Sequence, residues 1–189
     1  MRFDGVRRMP VLELGISQLY LSEEKLARVR TWLSPDTAAL CQPLPVHDFG
    51  NGRYTLTDGH SRAFAAFSMG ISELPVLYDE DEIIVKEPGP TLYREDIRWC
   101  EWFGLSTVAD LSQRILSAAD YEQRWVERCE RSFHLLTKTT KQERTALQKL
   151  GKCLFLYGAS PDLKILYFED ARGSLWTYSQ GILTQETER

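Results

Sequence analysis

Five consecutive residues, Asp58-Gly59-His60-Ser61-Arg62, place a carboxylate, an imidazole, a hydroxyl and a guanidinium around one glycine. Tyr54-Thr55-Leu56-Thr57 before them has the composition of a strand. After them Ala63, Phe64, Ala66 and Phe67 recur on a helical period that Gly70 would end. The polar cluster therefore falls where a strand turns into a helix. The first turn of a helix carries backbone N–H groups with no internal acceptor, and its dipole adds partial positive charge. Gly59 lets the chain turn and lets a ligand approach the backbone closely. Gly59, His60, Ser61 and Arg62 are thus the expected phosphate-binding residues. Asp58 and His60 are the expected catalytic residues, with Asp58 able to hold magnesium or orient a hydroxyl. A plainer reading makes Asp58 the helix N-cap and Arg62 its salt-bridge partner. Glu13 and Asp48 are weaker candidates for a second carboxylate.

The neighbouring sequence supplies elements to position this junction. Residues 11–16 alternate as a strand. Ser22 reads as an N-cap, with Glu23 and Glu24 in the first turn and Leu21 placed to staple onto Leu26. Leu26, Val29 and Leu33 form the apolar stripe of that helix, with Trp32 adjoining, and Pro35 closes it. Residues 45–58 read as a β-hairpin about Gly50-Asn51-Gly52. Residues 74–78 read as a further strand, and Asp79-Glu80-Asp81-Glu82 as a solvated acidic loop. Glu87-Pro88-Gly89-Pro90 is the clearest linker signal.

Beyond it, helices are expected near residues 94–103, 108–116 and 121–136. Tyr121, Trp125, Cys129 and Phe133 recur at intervals of four, the pattern of a core-facing stripe. A basic helix is expected over residues 140–150. Residues 153–157, 163–168 and 175–178 follow as an antiparallel meander, with Asp170-Ala171-Arg172-Gly173 as its second turn. Trp176 and Tyr178 share one face of the last strand. The expected organisation is a domain over residues 1–86, a helical segment over 87–136, and a helix plus β meander over 137–189.

The order of strand, hairpin, Asp58-Gly59-His60-Ser61-Arg62, helix to Gly70 and Leu74-Pro75-Val76 resembles the ParB/sulfiredoxin superfamily. The resemblance covers about residues 8–80. It implies an α+β domain with a small mixed sheet, in which a Gly-x-x-Arg box binds nucleotide phosphates. Sulfiredoxins carry a reactive cysteine in the box, where this chain has His60 and Ser61, so sulfinic-acid reduction is not expected. ParB proteins of chromosome segregation carry Gly-Glu-Arg-Arg followed by helix-turn-helix regions, and the helices after this box show no evident recognition helix. The Asp-Gly-His-x-Arg box of the superfamily's free serine kinases is the nearest pattern. The resemblance implies nucleotide phosphates at Gly59 to Arg62, with Mg2+ as a possible companion, and leaves the acceptor open. The first reading is a nucleotide-dependent enzyme that transfers a phosphoryl group to a small hydroxyl compound. A non-catalytic nucleotide-binding regulatory module uses the same residues and is the alternative.

Composition narrows the remaining classes. The 189 residues are 43% hydrophobic and 26% charged, the balance of a globular chain that folds around a core. The net charge is -4, so no global basic field favours nucleic acid. Residues 121–152 hold eight basic and four acidic side chains, and Lys138, Lys141, Arg144, Lys149 and Lys152 keep a DNA-binding reading as the weakest of the three. Cys41, Cys100, Cys129 and Cys153 and the three histidines are scattered, so neither a disulfide framework nor a metal site is expected. No apolar run spans a bilayer and the first residues lack signal-peptide character, so a cytoplasmic protein is expected.

Overall fold

In the computed structural model, which describes residues 2–138, 154–159, 164–170, 174–180 and 182–186, the chain divides into two units, Met1–Glu122 and Gln123–Arg189. The strands of the first unit are β1 (Val6–Pro10), β2 (Leu21–Ser22), β3 (Leu44–His47), β4 (Thr55–Leu56), β5 (Glu73–Tyr78) and β6 (Ile115–Leu116). Its helices are α1 (Glu23–Arg30), α2 (His60–Ser68), α3 (Glu82–Val85), α4 (Gly89–Trp102) and α5 (Ala118–Tyr121). The architecture is α+β: an N-terminal mixed sheet, central helices and a C-terminal antiparallel sheet.

The N-terminal sheet has the order β1-β5-β3-β4, with β3 parallel to β5 and the other pairs antiparallel. Register puts Leu44 beside Val76 and Val46 beside both Tyr78 and Leu56, so the fully buried Leu44, Val46, Leu56 and Val76 share one face. Ala63, Phe64 and Ala66 of α2 join the same core. The expected strand over residues 11–16 is displaced. Pro10 ends the β1 ladder because it has no N–H to donate, and Val11–Glu13 make a 3-10 turn in which the Val11 N–H bonds to Ser72 O at 2.9 Å. Gly15 then meets Thr55 in an isolated parallel bridge. The hairpin forms as expected, its loop held by Asp48, whose Oδ1 accepts from the N–H groups of Gly50 and Gly52, both at 3.0 Å.

Helix α1 begins where expected. Ser22 Oγ accepts from Lys25 N–H at 3.3 Å, and the strand β2 that precedes it pairs in parallel with β6, fixing the entry angle. Ser22→Ala should therefore cost about 1 kcal/mol. A urea midpoint lowered at unchanged slope would show this, and an unchanged midpoint would mean that the β2–β6 pair alone holds the helix start.

Two loop readings change. Glu87-Pro88-Gly89-Pro90 opens α4 instead of forming a linker, since Pro90 suits the first helical turn. Gly89 also passes so near α3 that a Cβ there would lie 1.6 Å from Ile83 O. The acidic run is not wholly solvated: Asp79 accepts from Thr57 Oγ1 at 2.5 Å, while Tyr93 Oη donates to Thr57 O at 3.1 Å. These bonds brace the residue just ahead of Asp58.

The expected helix over residues 108–116 is a 3-10 segment, Val108–Gln113, followed by β6. Thr107 and Asp110 begin it with a capping box. After α5, Glu122–Val126 form a π turn that leads into α6 (Glu127–Lys138). A stripe repeating every four residues drifts by about 40° per step around a helix of 3.6 residues per turn, so its far end leaves the face on which it began. Tyr121 and Trp125 are buried as expected, whereas Phe133 is 49% exposed.

In the second unit the meander is four-stranded: β7 (Leu154–Ala159), β8 (Ile165–Asp170), β9 (Leu175–Ser179) and β10 (Ile182–Gln185), in the order β10-β9-β8-β7. The fourth strand was not expected from the sequence. Trp176 pairs with Phe168 and Tyr178 with Leu166, so both aromatics lie on the face of the buried Leu166 and Phe168. The expected basic helix over residues 140–150, Cys153 and most of the 170–173 turn lie outside the described residues. Among the described residues no helix is long and apolar enough to cross a membrane.

Candidate functional site

The junction between β4 and α2 depends on Gly59. Its φ of 81° lies in the left-handed region that a side chain disfavours, and it is the N-cap residue of α2. No side chain caps this helix. Asp58 is thus not the N-cap, and the first-turn N–H groups of α2 keep their capacity to bind an anion.

Arg62 folds back over Gly59. Its Nη2 donates to Asp58 Oδ2 at 3.3 Å and its Nη1 to Gln42 O at 3.2 Å, so the guanidinium ties the helix start to the segment before β3. The salt bridge of the plainer reading is present, with Asp58 81% exposed and Arg62 18%. Asp58, the exposed partner, can exchange this contact for a ligand at little cost, whereas Arg62 is largely covered and is also held by Gln42 O. The buried Cys41 adjoins Arg62. Burial pushes its thiol pKa up, partly offset by the guanidinium, which keeps it a thiol and not a nucleophilic thiolate at neutral pH.

His60 is placed differently from its neighbours. It is 3% exposed, and its Nε2 accepts from the Ser17 N–H at 3.1 Å, while Ser17 Oγ donates to Leu56 O at 2.8 Å. Burial drives its pKa down to about 4, against a smaller upward pull from Asp58. At neutral pH the ring is an uncharged acceptor that holds the Ser17–Gln18 backbone against the start of α2. Ser61 is half-buried in the first turn beside it.

These residues form one wall of a cleft of about 260 Å³. The other wall is one face of α1, with Lys25, Arg28 and Val29, continued by Trp32 in the turn that follows the helix, and Gln18 and Tyr121 complete the lining. Lys25, Arg28 and Arg62 give it three cations against the one carboxylate of Asp58. Lys25 Nζ stands 5.0 Å from the Tyr121 ring centroid, Arg28 pairs with Glu24 at 3.2 Å, and Gln18 donates to Tyr121 Oη at 3.0 Å. Sequence reasoning on the box alone passed over the α1 wall. Its signal was the spacing 25, 28, 29 and 32, which puts four residues on one helical face beside the buried Leu26 and Leu33.

Glu13 and Asp48 do not line the cleft. Asp48 is committed to the hairpin loop, and Glu13 lies near the hairpin, where its carbonyl accepts from Arg53 Nε at 3.1 Å. Among the described residues no three His, Cys, Asp or Glu side chains converge to hold a metal ion. A magnesium ion beside Asp58 would need phosphate oxygens and water for its remaining ligands.

No family profile and no curated protein matches the chain. Among solved structures, protein Atu1540 from Agrobacterium tumefaciens is similar at 14% identity and a TM-score of 0.37, over 78% of this chain and 92% of that one.

Proposed function

We propose that the first unit is a ParB/sulfiredoxin-like domain that binds the phosphates of a nucleotide, or of another small phosphorylated ligand, in the cleft between α1 and the β4–α2 junction. One observation carries this reading: an uncapped helix N-terminus opens onto a cleft whose opposite wall carries Lys25 and Arg28. Backbone N–H groups and convergent cations together match the geometry and charge of phosphate oxygens. The concave shape and small volume suit a ligand of nucleotide size and not a DNA duplex.

Binding requires only these donors. Phosphoryl transfer requires in addition that Asp58 exchange Arg62 for a magnesium ion or an acceptor hydroxyl, with Arg62 turning to the phosphates. His60, uncharged and bonded to Ser17, fits a positioning role. The non-catalytic binding module is therefore the better supported form of the proposal.

Calorimetric titration with ATP, ADP, CTP and GTP, with and without magnesium, tests it. Wild type should bind at least one nucleotide, and the Lys25→Ala/Arg28→Ala double variant should bind it about tenfold or more weakly. Both side chains are exposed, so the variant should keep its melting temperature. Failure of the folded wild type to bind any of the four would end the nucleotide reading. Equal binding by the double variant would move the phosphates away from α1.

A further inference from the structure

We infer that Trp32 is a platform for a flat ring on the ligand, so that the cleft holds a nucleotide at both ends and discriminates against a bare phosphate chain. This rests on the phosphate site proposed above. Trp32 lies in the turn that follows α1, where it lines the cleft beside Arg28 and Val29, and is 45% exposed. Leaving that much indole in water forgoes burial that other tryptophans in the chain obtain. Trp99 packs against Trp102 at 5.6 Å, Arg98 stands over Trp102 at 5.3 Å, and Arg128 stands over Trp125 at 5.0 Å. Among the described residues the ring of Trp32 has no such aromatic or cationic partner.

The exposed ring is carried on a fixed backbone. The Trp32 N–H bonds to Val29 O at 3.2 Å, its carbonyl accepts from Thr37 Oγ1 at 2.7 Å, and the next residue, Leu33, is buried. Such a platform costs little further ordering when a ring settles on it. Lys25 and Arg28 are successive on one face of α1, and Trp32 follows them in the turn after the helix, so the cations and the indole are set out in order along one wall. A ligand that meets the cations and the indole together must therefore carry charge at one end and a flat apolar group at the other. A nucleotide does so, with its phosphates toward Lys25 and Arg28 and its base on Trp32. Stacking is tolerant of base identity because every base has a π-face, so Trp32 selects for a base without choosing among bases.

The test compares pyrophosphate with the four common nucleoside diphosphates on wild type, Trp32→Ala and Trp32→Phe. Expected are tighter binding of at least one diphosphate than of pyrophosphate by wild type, and a loss of about tenfold or more for that diphosphate in Trp32→Ala. Trp32→Phe should recover most of the loss, and pyrophosphate should bind all three proteins alike. If wild type binds pyrophosphate as tightly as every diphosphate, or if Trp32→Ala weakens both ligands equally, the platform is wrong and the phosphate site stands. If wild type binds neither ligand class, the phosphate site itself fails, and the platform with it. Melting temperatures of both variants separate lost binding from lost folding.

Discussion

Gly59→Ala should lower the stability of the protein by about 3 kcal/mol, with three contributions. A residue with a Cβ at φ 81° pays about 1–2 kcal/mol for the left-handed conformation. The new methyl would also lie 2.6 Å from Leu44 Cδ2, and Leu44 is fully buried in the sheet core, so the collision adds an overpacking cost of about 1–3 kcal/mol. The lower unfolded-state entropy of alanine returns about 0.4–1 kcal/mol. The methyl also sits 2.9 Å from Arg62 Nη2, and the guanidinium can yield to it by swinging outward, away from Asp58 and Gln42. Urea unfolding of variant and wild type measures the loss of stability, and nucleotide titration of the folded variant should show weaker binding where the guanidinium has been displaced. A loss under about 1 kcal/mol would mean that the β4–α2 turn relaxes freely around position 59.

Acid should unfold the protein through His60. The folded-state pKa of about 4 lies below the ordinary value of 6.5, so the unfolded chain binds a proton that the folded chain refuses. The stabilisation is fully present above pH 6.5 and is lost as pH falls through about 4, on the order of 3 kcal/mol across that window. Carboxylates also titrate toward the lower end, so the informative quantity is a difference between proteins. His60→Gln can keep an acceptor for the Ser17 N–H and cannot titrate. Its stability should fall distinctly less than wild type between pH 7 and pH 4, by chemical denaturation at each pH. Parallel curves for the two proteins would show that the imidazole becomes protonated without opening the Ser17 contact.

Much of the first unit was legible in the chain because its signals are local. Ser22 with Glu23 and Glu24 marks the start of α1, Gly59 and Gly70 bracket α2, and Gly50-Asn51-Gly52 marks the hairpin loop, each through backbone conformation or capping within a few residues. The box at residues 58–62 was legible for the same reason, since a strand running into a helix across a glycine is a property of neighbours in sequence. Local signals misled where distant groups intervened. Glu87-Pro88-Gly89-Pro90 has linker composition, yet it opens α4, where Pro90 suits the first turn and Gly89 fits the close pass of Ile83. Residues 11–16 alternate like a strand, but their partner is an isolated bridge to Thr55 and not a ladder. The stripe from Tyr121 to Phe133 repeats every four residues, and at 3.6 residues per turn it drifts around the helix, so that Phe133 is exposed although Tyr121 and Trp125 are buried.

The cleft was decided only by tertiary structure. Residue type alone makes His60 a candidate cation or base; burial against Ser17 makes it a neutral acceptor, because desolvation acts through whatever surrounds the ring. Likewise Lys25, Arg28 and Trp32 are ordinary exposed residues until α1 packs beside α2 and turns one face toward Gly59. Neighbours in sequence suffice for the glycine turn, the helix that follows it and the cluster of polar side chains around it. Which donors face a common cavity depends on the packing of elements some thirty residues apart in the chain, and no short-range pattern encodes that.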